Sequence, residues 1–169
     1  MKILETERLI LRHLSDNDAE FILELLNDPS FIQGIGDRKI RTLDGAKGYI
    51  NNGPVASYSK HGFGLWLVEL KETGDPIGIC GLIKRDTLDH VDIGYAYLPK
   101  FWSRGYAVES ALAVKEYARD VTGLKRIIAI VNPDNWGSIR VLEKIGMTFE
   151  KMVKLSEDDI ELKLFSVDL

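Results

Sequence analysis

Cysteine is the scarcest residue type in this sequence: the chain of 169 residues contains one, Cys80. A single cysteine cannot form an internal disulfide, and the sequence has no close His/Cys pair of the kind that binds a metal ion. Cys80 lies in the apolar run IGICGLI, where a buried and unreactive thiol is the expected state. We therefore expect a protein of a reducing compartment that holds no metal.

Long apolar segments and an excess of positive charge are also missing. The opening segment MKILETERLILRHL is too short and too often interrupted by charge to be a signal peptide or a membrane span. We therefore expect a soluble, cytoplasmic protein with no membrane partner. The net charge of −4 and the pI near 5.4 argue against a nucleic-acid-binding surface. The same mild acidity is compatible with a basic protein or an amine as partner.

The sequence is organised around a strand, a loop and a helix in residues 90–121, HVDIGYAYLPKFWSRGYAVESALAVKEYARDV. The apolar and aromatic residues 91–98 predict a strand, which Pro99 ends. Apolar residues then recur at helical spacing after Gly105, and Gly123 supplies a helix stop. The loop between them therefore leads directly into a helix N-terminus.

Residues 102–107, WSRGYA, which we call the cradle loop, have the composition of a phosphate site. Small side chains let backbone N–H groups approach a ligand, the helix dipole favours negative charge, and Arg104 adds a cation. The loop matches neither the GxGxxG pattern of dinucleotide-binding folds nor the GxxxxGK[ST] pattern of P-loops. From these residues alone, a phosphate-binding loop and an ordinary turn both stay open.

The remaining segments predict one α/β domain over residues 1–169, in which helices cover both faces of a mixed sheet. The 45% hydrophobic content is enough for a single core. A hairpin precedes the central strand, and the strand after the long helix should pair with it in parallel through a right-handed crossover. The glycine-rich residues 30–62 predict one helix after Thr42, within either an irregular connection or a mobile wall over a pocket. Two further helices are predicted, one that begins after Ser15 and one that spans residues 136–144. The predicted strands are residues 8–14, 64–71, 77–85, 91–98, 125–131, 147–155 and 160–167.

Two segments resemble motifs of the GCN5-related N-acetyltransferases (GNAT), in the form found in the RimJ/RimL group of ribosomal-protein N-acetyltransferases. Residues 93–112, IGYAYLPKFWSRGYAVESAL, resemble motif A of that family. Residues 132–147, NPDNWGSIRVLEKIGM, resemble its fifth strand and the following helix. The opening residues 5–12 and the segment GLWLVELKETGDPIGICGL are similar to the same group, so the resemblance covers essentially the whole chain.

The resemblance implies the acetyltransferase fold, in which the fourth and fifth strands splay apart and the pantetheine arm of acetyl-CoA enters the gap. It implies transfer of acetyl from acetyl-CoA to a primary amine by direct attack in a ternary complex. The acceptor would be a protein N-terminal α-amine, as in the ribosomal-protein group, or a small-molecule amine. Acceptor recognition would lie in residues 30–62. Because sheet edges often pair in this fold, a homodimer is compatible with it.

For the cofactor, the resemblance places the pyrophosphate on the backbone amides of residues 103–107, beside Arg104. The pantetheine arm would pair with the exposed strand edge of residues 95–98 as if it added a strand. The N–H of Tyr97 would then face the thioester oxygen and stabilise the developing oxyanion.

Side chains at the start of and within the predicted helix of residues 136–144 would supply further cofactor contacts. Arg140 or Lys144 would reach the ribose phosphate, or would lie on a solvated helix face. Asn135 and Ser138 would bind the pantetheine arm, or would cap the helix. The cofactor-binding residues predicted in this way are Tyr97, Leu98, Trp102, Ser103, Arg104, Gly105, Tyr106, Ala107, Asn135, Ser138 and Lys144.

No residue of this sequence is an obvious candidate for the acid that protonates the departing thiolate. Many members of the family carry a tyrosine for this step, and Leu142 takes that position here. Ser138, a hydroxyl on the same helix, is the candidate replacement, and Tyr95 is the second candidate. The vacant tyrosine position also leaves open a catalytically inactive domain that binds acetyl-CoA or CoA as a sensor or interaction module.

Asp92 is the carboxylate that we predict to act as the base through water, with Glu69 and His90 as alternatives. Each of the three is also compatible with an exposed strand residue or a hydrogen bonder at the sheet end. Direct transfer assisted by water would need no base, because an α-amine with a pKa of about 7.8 is neutral for roughly a tenth of the time at pH 7. Glu109 would complement the helix dipole or hold the loop in place.

Overall fold

The computed structural model describes residues 1–169 and contains eight strands: β1 (Lys2–Glu5), β2 (Leu9–Arg12), β3 (Leu65–Leu70), β4 (Pro76–Ile83), β5 (Asp92–Tyr97), β6 (Arg126–Val131), β7 (Thr148–Val153) and β8 (Leu162–Asp168). They form one mixed sheet in the order β1-β2-β3-β4-β5-β6-β8-β7. All neighbours run antiparallel except β5 and β6, which are parallel. The predicted fold class, an α/β fold with a mixed sheet, is confirmed.

The α-helices are α1 (Ala19–Asn27), α2 (Pro29–Gly34), α3 (Leu43–Ile50), α4 (Ala56–His61), α5 (Tyr106–Asp120) and α6 (Trp136–Lys144). None of them is both long and apolar enough to cross a membrane. The prediction of one helix in the glycine-rich region was wrong, because α2 and α4 lie beside α3. Asp28 and Pro29 resemble the end of α1, yet the Asp28 carboxylate accepts the Ser30 N–H at 2.9 Å and caps α2.

The structure also contains a strand absent from the sequence prediction, β1, which pairs antiparallel with β2. β1 is short, and its two half-buried apolar residues, Ile3 and Leu4, are adjacent, so the sequence KILE lacks an alternating apolar pattern. The predicted first strand corresponds to β2, in which Leu9 and Leu11 are buried. The predicted hairpin is confirmed as β3 and β4, and the two closing strands are confirmed as β7 and β8.

Two apolar layers hold the helices against the sheet. On one face, α5 and α6 pack on the strands through side chains such as Val114 and Leu142. On the other face, α1 and α3 pack on the same strands. Side chains of β5 alternate between the layers, since Ile93 and Tyr97 join the α5–α6 layer and Ala96 joins the α1–α3 layer. β5 therefore lies at the centre of the core.

The parallel strands β5 and β6 pair at one point only, where Asp92 lies opposite Ile128. Beside it, the Val91 carbonyl accepts the Ile128 N–H at 3.0 Å. Beyond this bridge the ladder stops, and the strands diverge between residues 95–97 of β5 and residues 129–131 of β6. We call this opening the β5–β6 gap. The predicted splay of the central strands is confirmed.

Candidate functional site

Backbone groups of β5 face the β5–β6 gap at alternate residues. The Leu98 N–H donates to Ile77 on the β4 side at 3.1 Å, so the N–H groups of Tyr97 and Tyr95 point the other way, into the gap. The Tyr97 carbonyl accepts the Trp102 indole N–H at 2.9 Å. The free edge of β5 therefore offers the N–H groups of two residues, and the cradle loop folds back onto its end.

Leu98 differs from the other predicted strand residues. Its side chain is buried in the α1–α3 layer, and its carbonyl accepts the Phe101 N–H at 3.0 Å. Because its N–H is bonded on the β4 side, Leu98 has no backbone group directed into the gap. We therefore omit Leu98 from the site, although the sequence placed it there.

The cradle loop has the backbone of a tight turn that opens onto α5. Ser103 has φ +63° and Gly105 has φ +83°, and Gly105 is the N-cap residue of α5. The first N–H groups of the helix, including those of Tyr106 and Ala107, have no intrahelical acceptor. Ser103, Arg104 and Gly105 are exposed. An anion can therefore approach several N–H groups at the positive end of the helix dipole.

The first turn of α5 is held by hydrogen bonds to β5 and to the turn between β1 and β2. The hydroxyls of Tyr97 and Ser110 are hydrogen-bonded, and the Ser110 hydroxyl also donates to the Tyr106 carbonyl at 2.8 Å. Glu109 accepts hydrogen bonds from Thr6 and Arg8. Burial alone would raise the pKa of Glu109, but these bonds outweigh it and the pKa is lowered. Of the two predicted roles of Glu109, this geometry matches the one that holds the loop.

Tyr95 crosses from β5 to α6. Its hydroxyl donates to the Ser138 carbonyl at 2.9 Å and lies 2.8 Å from the Ser138 hydroxyl. Burial raises the pKa of Tyr95, so the phenol is protonated near neutral pH and gives up its proton less readily than an exposed tyrosine. Asn135 caps α6 by accepting the Ser138 N–H at 3.2 Å, and Leu142 is buried. The two candidate acids therefore lie together, in contact with each other.

Asn135 also meets the glycine-rich region. A β-carbon added to Gly34, at the end of α2, would lie 3.2 Å from the Asn135 amide nitrogen. The end of α2 therefore reaches the start of α6, which follows β6 and lies at the mouth of the gap.

Asp92 lies at the β5–β6 bridge and is 2% exposed. Its Oδ2 accepts the Arg85 Nε–H at 2.7 Å, whereas its buried Oδ1 has no hydrogen-bond partner in the protein. Burial raises the pKa of Asp92, and the charge of Arg85 opposes the rise only in part. Asp92 is therefore not an exposed strand residue, and one of its oxygens is free to accept a proton.

We expect replacement of Asp92 by asparagine to change how stability depends on pH. Because the pKa of Asp92 is raised in the folded state, its stabilising contribution is present below the unfolded pKa of about 4 and is lost as pH rises through the folded value. The stability of the wild type should therefore fall relative to Asp92→Asn over that range, by at most about 1.4 kcal/mol per pH unit. Urea unfolding from pH 4 to 8 measures the difference.

The exposed Asp89 in the preceding loop provides the control for this prediction. Asp89→Asn should follow the wild type across the whole range. A pH-independent difference between the wild type and Asp92→Asn would mean that Arg85 keeps Asp92 ionised throughout.

The other proposed bases lie apart from Asp92. Glu69 is on β3, two strands from β5, and binds Arg12 at 3.1 Å. His90 is exposed in the loop before β5. No three His, Cys, Asp or Glu side chains are grouped to hold a metal ion. Burial raises the pKa of Cys80 to about 12, so its thiol is a poor nucleophile.

Lys144 and Arg140 are both exposed on α6. Next to Lys144, the carbonyl of Ile145 accepts a hydrogen bond from Lys115 of α5 at 2.7 Å. Lys115 is about 15 Å along the helix from Gly105, at 1.5 Å per residue. Lys144 therefore lies beside the C-terminal half of α5, and its contact with the ribose phosphate stays a prediction.

Comparison with known proteins identifies a family, a sequence relative and a solved structure that each match most of this chain. Residues 8–148 match the family model described as acetyltransferase (GNAT) domain. The uncharacterized N-acetyltransferase YoaA of Bacillus subtilis is 32% identical over 153 residues, which span 90% of this chain and 86% of YoaA. The crystal structure of an acetyltransferase from Agrobacterium tumefaciens has a TM-score of 0.84 at 27% identity and covers 99% of this chain and 94% of its own.

A ribosomal protein acetyltransferase shares the fold. RimL, a ribosomal L7/L12 α-N-protein acetyltransferase solved with coenzyme A, has a TM-score of 0.85 at 17% identity. The match covers 100% of this chain and 98% of RimL.

Proposed function

Since this chain belongs to the GNAT family and is an N-acetyltransferase, we propose that it transfers acetyl from acetyl-CoA to a protein N-terminal α-amine. The observation that carries the proposal is the continuous path from the free edge of β5 to the N-terminus of α5. One donor molecule with a peptide-like arm and a pyrophosphate matches both parts of that path. A small-molecule amine is the second acceptor class.

Acetyl-CoA would use backbone groups more than side chains. Its pyrophosphate would accept hydrogen bonds from the cradle loop, and its pantetheine amides would pair with the β5 edge. The N–H of Tyr97, which is directed into the gap, would donate to the thioester oxygen as negative charge develops there. The Asn135 amide would contact the arm from the opposite side of the gap.

The reaction is a direct displacement. The amine nitrogen attacks the thioester carbonyl carbon, the C–S bond breaks, and the amide and the CoA thiolate form. Asp92 would take the proton lost by the amine through a chain of waters, because its buried Oδ1 has no other partner and about 16 Å of extended strand separates it from Tyr97. Tyr95, held by Ser138, would give its hydroxyl proton to the thiolate.

An α-amine suits this site better than a lysine side chain. At pH 7 deprotonation costs about 1 kcal/mol for an α-amine and about 4 to 5 kcal/mol for a lysine. Asp92, whose carboxylate is paired with Arg85, can offset only a small part of the cost of deprotonating a lysine. The fold shared with RimL and the net charge of −4, which favours basic acceptors, also support a protein N-terminus.

The glycine-rich region would form the wall of the acceptor site. Its first helix, α2, already meets Asn135 at the mouth of the gap. We also propose that residues 1–169 act as one acetyltransferase domain, because one sheet joins all eight strands.

The test is thiol release from acetyl-CoA with a panel of acceptors: peptides with free N-termini, the same peptides N-terminally blocked but carrying lysine, and small amines. We expect release with the free N-termini to exceed hydrolysis and to exceed release with the blocked peptides. The buried Leu142 at the family's tyrosine position favours the alternative of an inactive module. Tight acetyl-CoA binding with no acceptor-dependent release would establish that alternative.

A further inference from the structure

Arg8, in the turn between β1 and β2, reaches the first turn of α5. Its Nε–H donates to Glu109 Oε1 at 2.7 Å, and its backbone N–H donates to Oε2 at 3.0 Å. The Thr6 hydroxyl donates to the same Oε2 at 2.5 Å. One carboxylate on α5 thus accepts three hydrogen bonds from one turn of chain.

The Arg8 guanidinium also contacts the cradle loop on both sides of its glycine. Nη1 donates to the Arg104 carbonyl at 2.9 Å, and the guanidinium carbon lies 4.5 Å from the centre of the Tyr106 ring. A β-carbon added to Gly105 would lie 3.3 Å from Nη2. Arg8 therefore contacts the residues before and after the N-cap, and its Nη2 lies beside the N-cap glycine itself.

Most of the donors of this guanidinium are left over. Arginine has five side-chain N–H donors, and the protein contacts of Arg8 use one on Nε and one on Nη1. The remaining donors lie on Nη1 and Nη2, next to the exposed N-cap glycine. The side chain is 43% exposed, so these donors are accessible at the start of the helix.

We propose that Arg8 is a positioning residue of the donor site: it holds the cradle loop in its anion-binding conformation and presents its spare N–H groups to the pyrophosphate. This inference rests on the proposed use of acetyl-CoA. The Thr6–Arg8 turn joins the first two strands, so the N-terminal edge of the sheet takes part in a site that the motif of residues 93–112 alone would not include.

Charge balance makes the inference testable. Glu109 neutralises Arg8, so the pair acts through fixed hydrogen-bond geometry more than through net charge. Plain electrostatics predicts that removing the negative charge of Glu109 beside an anion site tightens donor binding. The positioning role predicts weaker binding, because Arg8 then loses the group that orients it.

The experiment compares two acetyl donors, acetyl-CoA and S-acetylpantetheine, which lacks the pyrophosphate and the adenosine. The KM and kcat of the wild type, Arg8→Ala, Arg8→Lys and Glu109→Gln are measured with each donor. Arg8→Ala should raise the KM for acetyl-CoA about 10-fold to 100-fold with little change in kcat, because charge-assisted hydrogen bonds are lost. Arg8→Lys should not restore it, since lysine lacks the planar fork. Glu109→Gln should raise it about threefold or more.

S-acetylpantetheine provides the internal control, and its KM should stay the same in all variants. Equal losses with both donors would show that Arg8 supports the fold in general and would overturn the inference. A lower KM for acetyl-CoA in Glu109→Gln would overturn it in favour of plain electrostatics. Thermal unfolding checks that each variant is folded. Glu109→Gln keeps the shape of the side chain and is therefore the substitution expected to disturb the fold least.

Calorimetric binding of CoA separates this inference from the proposed function. If the wild type binds CoA without turning over any acceptor, the proposed reaction fails, and a weaker Kd in Arg8→Ala still supports the inference. If Arg8→Ala binds CoA as the wild type does, the inference fails whatever the reaction is.

Discussion

Tyr95→Phe should lower kcat by about 10²-fold to 10⁴-fold, the usual contribution of a general acid, with a small change in the KM for acetyl-CoA. The substitution removes one hydroxyl and keeps the ring, which packs against the α5–α6 layer. The hydroxyl also links this ring to α6 through hydrogen bonds with the carbonyl of Ser138 at 2.9 Å and with its hydroxyl at 2.8 Å. Steady-state kinetics with a saturating acceptor measure the change.

Ser138→Ala is the matched variant for this prediction. It removes the serine hydroxyl but leaves the Ser138 carbonyl, to which Tyr95 still donates at 2.9 Å. We therefore expect a loss in kcat of less than about 10-fold, within the range of a single neutral hydrogen bond. The opposite order, a large loss in Ser138→Ala and a small loss in Tyr95→Phe, would assign the acid role to the serine. Equal small losses would mean that the thiolate leaves without an acid from this pair.

The parts of the site that could be predicted from the sequence are those with local causes. Pro99 ends a strand because it cannot donate to a ladder, and Gly105 begins a helix where φ must be positive. These signals lie within about one turn of the feature they determine. The strand, cradle loop and helix were therefore predicted from residues 91–121 alone, and the resemblance to the acetyltransferases added the splayed strands.

The contacts that complete the site could not be predicted, because they join distant parts of the chain. Arg8 and Glu109 are 101 residues apart, and Tyr95 and Ser138 are 43 apart. No periodicity in the sequence encodes such pairs. The burial of Asp92 was likewise hidden, since a charged residue at a strand end usually indicates exposure. Its environment follows from Arg85, which reaches it from the end of the neighbouring strand.

Gly105→Glu should weaken acetyl-CoA binding by at least about 100-fold, the largest effect on binding that we expect from a single substitution. Its φ of +83° is strained for a side chain, at a cost of about 1–2 kcal/mol. The new side chain would also place a carboxylate where the pyrophosphate should bind. Its β-carbon alone would lie 3.3 Å from Arg8 Nη2. An internal carboxylate that pairs with Arg8 would occupy the anion site itself.

Gly123→Glu is the control for the strain. Gly123 follows the other end of α5, has φ +73°, and has no atom within 4 Å of an added β-carbon. Both substitutions add a carboxylate at a residue with positive φ that flanks α5. Only Gly105 lies in the cradle loop. Thermal unfolding should show a loss of stability in both variants, and the loss should be the larger one in Gly123→Glu, because negative charge is favourable at the N-terminus of α5 and unfavourable at its C-terminus.

The central claim is that acetyl-CoA binds at the cradle loop, and calorimetric titration of acetyl-CoA into the wild type, Gly105→Glu and Gly123→Glu tests it most directly. We predict a Kd in the micromolar range for the wild type and for Gly123→Glu, and a loss of at least about 100-fold in folded Gly105→Glu. Binding by Gly105→Glu as tight as that of the wild type, or no binding by the wild type, would contradict the claim.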